Sequence, residues 1–326
     1  IDDNRVSIIP GDTGSNNPEK LVSAINEINS QGVNIVIGPI NNQDFKNVKK
    51  FNDTVFISLS NINPEFSNNI ISIGISLESQ LTALIKFLDK KNKSRTIVMV
   101  PNNEYTELVE KKLSNFQSKN FKIFKYNPDP KVLTGEIEKL TNYNQRKKNL
   151  ELRIKMLEDK DDEQSKKELS RLEQKYTLGD VNFDSVIIID FGNSLKSVLT
   201  SLAFVDVNQD KVLFTTVNQW FDESIFYENT IKNLFYPSIN LKEFKKFQND
   251  YLATFNTYPN EISILAYDAI GLIYYVWKKN GKITSVNDFS FKGKIKGKIG
   301  TFSFDKMKIF QELNIYQVKN KKFIKF

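Results

Sequence analysis

Polar side chains gather just beyond a series of apolar runs. Asn41 and Asn42 follow VNIVI (33–37), Ser60 and Asn61 follow VFIS (55–58), and Asn102, Asn103 and Tyr105 follow TIVMV (96–100). Asp190 and Phe191 follow SVIII (185–189), and Asn218, Gln219 and Trp220 follow the run 212–216. Amides, hydroxyls and aromatic rings hydrogen-bond and stack on a polar small molecule without making or breaking its covalent bonds. The same residues have a local use, because Asn and Ser ahead of a helix accept its first free N–H groups. For any single Asn the capping use is the stronger reading; for the set, repeated at successive run ends, a binding cleft stands level with it.

Covalent chemistry has few candidates. The chain has no His and no Cys. Ser-His-Asp triads, Cys nucleophiles and redox pairs are excluded, as are the nitrogen and sulfur ligand sets of common zinc and copper sites. Neither G-x-G-x-x-G nor a P-loop occurs. Asp206, Asn208 and Asp210 resemble the start of a calcium loop, but Lys211 stands where Gly is needed and Val217 where the closing Glu belongs. Asp159, Asp161 and Asp162 read as a solvated turn. No pair of carboxylates has a spacing that suggests glycosidase chemistry. We expect a binding protein, not an enzyme, with no cofactor and no metal.

The elements that carry these residues alternate. Arg5–Pro10 reads as a strand, 18–31 as a helix with Leu21, Ile25 and Ile28 on one face, and 33–37 as a strand. Helix 43–51, strand 55–58, helix 80–90, strand 96–100, helix 105–119 and strand 121–126 follow. Continuous apolar strands between amphipathic helices imply a parallel sheet covered on both faces. From 133 to 177 the pattern changes to good helix formers without Pro. Leu150, Ile154 and Leu157 form one stripe and Leu169, Leu172 and Tyr176 another, with the polar run EDKDDEQ (158–164) between. This reads as an inserted antiparallel helical hairpin, either a solvated insertion or an arm for a partner. Strands at 185–189 and 212–216 and helices at 194–204, 244–255 and 262–278 resume the rhythm. The tail from 298 to 326 alternates as antiparallel strands with turns at Asp305-Lys306 and Lys319-Asn320.

Length and charge agree with this organisation. The chain has 326 residues, of which 40% are hydrophobic and 26% charged, enough for about two domains. The net charge is +7, and ten Lys between 292 and 326 face only Asp305 and Glu312. Only five Arg stand beside 41 Lys, so we read composition bias and solvated strand faces, with no nucleic-acid partner. No stretch is a membrane span; the nearest, Ile262 to Trp277, contains Asp268 and reads as a buried helix.

The order of DTGS (12–15), VIGPI (36–40), ISLSNINPEF (57–66), VPNNEY (100–105), NQWFDES (218–224), FQNDYLATFNTYP (247–259) and LAYDAI (265–270) resembles the type I periplasmic binding proteins. Within them it is similar to the branched-chain amino-acid receptors and closer to the bacterial penicillin-binding protein activator group. The resemblance implies an α/β fold of two lobes, each a mainly parallel sheet with helices on both faces. One lobe takes 1–76 and 237–300, the other 77–236 and 301–326, with the hairpin 133–177 inserted in the second. It implies a cleft with Asn41, Asn42, Ser60 and Asn61 on one wall and Tyr105, Phe191 and Trp220 on the other. Asp268 becomes a structural hydrogen bonder.

The implied function is extracytoplasmic and non-enzymatic. In the activator-like form it regulates cell-wall synthesis by contact with a synthase, from the periplasm or from the outer membrane through a lipid anchor upstream of this chain. In the alternative form it delivers a small polar ligand, such as an amino acid or amide, to an ABC transporter permease. Two departures bear on the choice. The family opens with a strand and a turn into a helix, so the first strand and helix are expected to be missing from this chain. Amino-acid receptors also place a Thr shortly after the Ser-rich strand end to hold the ligand's ammonium, and Ile62 and its neighbours offer none.

Overall fold

The computed structural model describes residues 4–14, 17–40, 44–60, 69–103, 105–116, 121–219, 223–229, 231–290, 293–298, 300–305, 308–319 and 321–325. The chain forms two compact units, 1–80 with 238–314 and 81–237 with 315–326.

The first unit begins with helix α1 (Pro18–Ser30). Asn17 accepts the Lys20 N–H, Pro18 occupies the first turn, and Leu21, Ile25 and Ile28 are buried. Gly32, at φ +81°, allows the chain to leave the helix. Strand β1 (Ile35–Ile37), the single turn α2 (Phe45–Val48), β2 (Val55–Ser58) and β3 (Ile70–Ser72) follow. The strands are parallel in the order β1-β2-β3, with Val36 opposite Phe56 and Ile57 opposite Ile71. β2 and β3 are fully buried, whereas β1 is only half-buried along its length. Leu21, Ile25, Phe45, Val48, Phe56 and Ile70 form one core between α1, α2 and the sheet.

Helix α3 (Leu77–Lys90) leads into the second unit. There β4 (Thr96–Pro101), α4 (Tyr105–Leu113), β5 (Lys122–Tyr126), α5 (Pro130–Leu140), α6 (Tyr143–Glu158), α7 (Glu163–Leu172), β6 (Ser185–Ile188), α8 (Gly192–Phe204), β7 (Leu213–Thr216) and β8 (Asn233–Ser238) follow. α9 (Leu241–Phe255), α10 (Glu261–Asn280), β9 (Lys294–Lys296), β10 (Thr301–Asp305) and β11 (Lys308–Glu312) belong to the first unit. β12 (Asn314–Lys319) and β13 (Lys322–Lys325) complete a seven-stranded sheet in the order β13-β12-β8-β7-β6-β4-β5. Its β5, β4, β6, β7 and β8 run parallel, and β12 and β13 are antiparallel to each other. β4 and β6 are buried at every residue, which explains their unbroken apolar runs.

Several expectations change. Arg5–Pro10 is not a strand: Ile8 is 73% exposed, and among the described residues this segment pairs with no sheet. The helix expected to reach residue 119 ends at Leu113 and passes into a short 3₁₀ turn, Ser114–Phe116. Residues 301–314 group with the first unit and not with the rest of the tail, because β10 pairs with both β9 and β11. The inserted hairpin is shorter than 133–177. α5 packs on α8, where Thr134 and Ser201 share a 3.0 Å hydroxyl bond, and only α6 and α7 form the hairpin.

Leu150, Leu157 and Leu172 are the buried seam of that hairpin, flanked by Ile154, Leu169 and Leu178. A two-pronged Arg153–Glu168 pair crosses it at 2.9 and 2.8 Å. Asp162 caps α7 by accepting the Ser165 N–H at 2.9 Å and its hydroxyl at 2.7 Å; these bonds hold its carboxyl below the usual range. The root is fixed by Arg146, whose buried guanidinium donates to the Val205 carbonyl at 2.5 Å, while Leu178 N–H donates to the Arg146 carbonyl at 3.0 Å. Burial lowers the Arg146 pKa, opposed by nearby Asp206 and Asp180.

Candidate functional site at the strand ends of the second unit

In a parallel sheet, groups that follow the carboxyl ends of the strands converge at one edge. Here β5 ends in Tyr126, β6 leads to Asp190 and Phe191, β7 leads to Asn218 and Gln219, and β4 leads to Asn102, Asn103 and Tyr105. Asp190 is the centre of the arrangement. Its Oδ2 accepts from the Tyr126 hydroxyl in a short bond and from Ser194 Oγ at 2.5 Å. Its Oδ1 accepts the Phe191 N–H at 2.8 Å. Gln219 closes the ring, its Nε2 donating to the Asp190 carbonyl at 2.9 Å and its Oε1 accepting the Gly192 N–H at 3.2 Å. Gly192, at φ +52°, turns the chain from Asp190 into α8. Asn218 is also committed, donating to the Pro237 carbonyl at 3.0 Å.

This network is buried: Tyr126 is 0% exposed, Asp190 6% and Gln219 4%. Burial pushes the Tyr126 hydroxyl well above its ordinary pKa, and the adjacent Asp190 carboxylate adds to the shift. Tyr126 is therefore a permanent donor. The Tyr105 hydroxyl is raised by burial alone. Its ring meets that of Phe191 edge-on, with centroids 6.3 Å apart, while Phe191 stays 46% exposed. Asn103 caps the start of α4, its Oδ1 accepting the Tyr105 N–H at 2.9 Å.

Of the site residues expected from sequence, Tyr105 and Phe191 are thus in contact. Ser60 lies in the first unit, half-buried, its N–H donating to Ser58 Oγ at 3.2 Å. Its carbonyl is pressed against Gly74, where a Cβ would collide with it. Asn41, Asn42, Asn61 and Trp220 fall outside the described residues. Asp268 is buried and accepts the Lys298 N–H at 2.8 Å. Tyr126 and Ser194 were missed by sequence reasoning. Ser194, four residues after Asp190, was visible as a helix-start residue. Tyr126 sits 64 residues from its partner, and only the β4–β5 and β4–β6 pairings bring the two together.

Among the described residues no group of three or more His, Cys, Asp or Glu is placed to hold a metal, and no helix is long and apolar enough to cross a membrane. No family model and no curated protein matches the sequence. Solved structures do match. An ABC transporter substrate-binding protein from Desulfitobacterium hafniense superposes with a TM-score of 0.66 over 98% of this chain and 88% of its own, at 14% identity. The fold is that of the type I periplasmic binding proteins. The leucine-binding protein LivK of Thermotoga maritima matches over 95% of this chain and 84% of its own, with a TM-score of 0.58 and 12% identity. The C-domain of LpoA from Haemophilus influenzae, a regulator of PBP1A, matches over 97% of this chain and 88% of its own, with a TM-score of 0.58 and 11% identity. The chain spans about half, 51%, of full-length LpoA. At these identities the likeness carries the periplasmic-binding fold and not the ligand or the partner.

Proposed function

We propose that this chain is a non-enzymatic, extracytoplasmic binding protein that works by contact with another protein, in the manner of a penicillin-binding protein activator, with a cell-wall synthase as partner. The observation that supports this reading is the closure of the strand-end network. Asp190, the carboxylate that an amino acid's ammonium would seek at this edge, already accepts three hydrogen bonds, from Tyr126, Ser194 and the Phe191 N–H. Gln219 and Asn218 are bonded to the backbone around it. A ligand would have to break these bonds in a buried setting, at a cost of about 1–3 kcal/mol for each group left unpaired.

The hairpin supplies the surface for the partner. Leu152 and Met156 lie one turn apart on α6 and are 47% and 59% exposed, away from the Leu150–Leu157 seam.

The second reading, delivery of a polar solute to an ABC permease, draws on the exposed face of Phe191 beside Tyr105. A thermal-shift panel of amino acids, amides, sugars and muropeptides separates the two. A ligand at a hundred times its Kd adds about 2.7 kcal/mol, a shift of several degrees. Silence across the panel is expected. A clear shift with a free amino acid moves the assignment to a solute receptor.

A further inference from the structure

The hairpin is charged unequally along its length. The root half of α6, 143–150, carries Arg146, Lys147 and Lys148 and no acid. The turn 158–163 carries Glu158, Asp159, Asp161, Asp162 and Glu163 against Lys160 alone. Asp162 caps α7, and Asp161 lies 3.5 Å from Lys166. The side chains of Lys147, Lys148, Glu158 and Asp159 are exposed, and among the described residues they make no hydrogen bond or ion pair. Folding of α6 does not ask for this order. The helix dipole favours acids at the start and cations at the end, whereas Glu158 and Asp159 close the helix. The two clusters are about 16 Å apart along the axis. That exceeds the Debye length of about 8 Å, so they do not neutralise each other. Lys148, Leu152, Lys155, Met156 and Asp159 recur at helical spacing and share the face of α6 turned away from the buried Leu150–Leu157 seam.

We propose that this face is a self-association site, on which two copies of the chain dock α6 against α6 in antiparallel. A two-fold axis crossing α6 between Leu152 and Lys155 makes every contact occur twice. Lys147 and Lys148 of one copy then lie beside Glu158 and Asp159 of the other, and Glu151 lies beside Lys155. Leu152 and Met156 of both copies meet at the centre and lose their exposure. A partner of one charge would suit one end of α6 and oppose the other, whereas a second copy in antiparallel suits both ends. The interface is a single helix face about 24 Å long, which buries less than the roughly 1,200 Å² of a standard complex. The dimer is therefore a weak, exchangeable one, with a Kd of about 10–100 μM. It uses the face that the proposed function offers to a synthase, so the two contacts exclude each other.

The test is sedimentation velocity of the 1–326 chain alone, across about 1–500 μM. Expected is a shift from the 37.7 kDa monomer to a dimer, weakened about ten-fold or more when salt is raised from about 0.05 to 0.5 M. Two variants locate the contact. Lys147→Glu/Lys148→Glu makes both ends of the face acidic, and Glu158→Lys/Asp159→Lys makes both basic. Each should weaken self-association about ten-fold or more, because like charges then meet at both ends. An equimolar mixture of the two should dimerise as well as the unsubstituted chain, since each basic end now meets an acidic one. A chain that stays monomeric throughout overturns the proposal. So does a dimer that both variants leave unchanged, which places the contact on another surface, and so does a loss that mixing does not restore. The concentration series uses unsubstituted protein, so it decides the matter even where a variant fails to fold. No synthase enters the experiment: a monomeric chain leaves the proposed partner contact standing, and a failed synthase titration leaves the dimer standing.

Discussion

The two units use parallel sheets to different ends. In the second, a seven-stranded sheet buries β4 and β6 completely, and the polar groups past the strand ends bond to one another. In the first, a three-stranded sheet leaves β1 half-buried, with one edge against an apolar slot. The difference teaches that a run of β-branched residues is equally apolar in both units. What it contributes depends on whether a neighbour lies on each side of it.

The largest test of this contrast is a pair of truncations. Ile187→Ala, at a fully buried position in β6, should cost about 3–4 kcal/mol, whereas Ile35→Ala at the open edge should cost about 1 kcal/mol or less. Hydrogen exchange reads each unit separately, and equal losses would erase the distinction. Next comes Arg146→Ala at the root of the hairpin. Loss of a charged donor to the Val205 carbonyl should destabilise the second unit by about 2–3 kcal/mol while leaving the first unit's protection unchanged.

The strand-end network gives a pH dependence confined to the second unit. Tyr126 and Tyr105 both have folded pKa values above the ordinary tyrosine value of about 10. Between the unfolded and folded values the unfolded chain binds fewer protons, so stability falls as pH rises. Their contribution is complete below pH 10 and is lost progressively above it. Tyr126→Phe should flatten that alkaline slope and cost about 1–2 kcal/mol at neutral pH, measured by denaturant melts across pH. The smallest effect is expected in the first unit. Asn34 donates to the Ile283 carbonyl at 3.0 Å in a half-buried position, and Asn34→Ala should cost about 1 kcal/mol there and nothing in the second unit.

Much of the fold was legible in the sequence because buried parallel strands announce themselves as unbroken apolar runs. The runs at 55–58, 96–100 and 185–189 became β2, β4 and β6 with little change of boundary. The strands that escaped notice lack that signature. β3 has three residues, and β8 contains Pro237, which breaks the pattern a central strand normally shows. Arg5–Pro10 failed for the opposite reason: the residues suit a strand, but pairing needs a neighbour, and periodicity says nothing about one. At the candidate site, Phe191 and Tyr105 were visible as strand-end aromatics. The bond from Tyr126 to Asp190 was not, since it depends on which strands lie side by side.

The measurement that tests the proposed function most directly is a titration of the purified chain with the soluble domain of a peptidoglycan synthase. It should be run beside the Leu152→Asp/Met156→Asp variant, whose substitutions lie on the exposed face of α6. Expected is saturable binding at micromolar Kd or tighter, weakened about ten-fold or more in the variant, whose melting temperature stays unchanged. No binding by the intact chain, or equal binding by the variant, would contradict a partner contact through the hairpin.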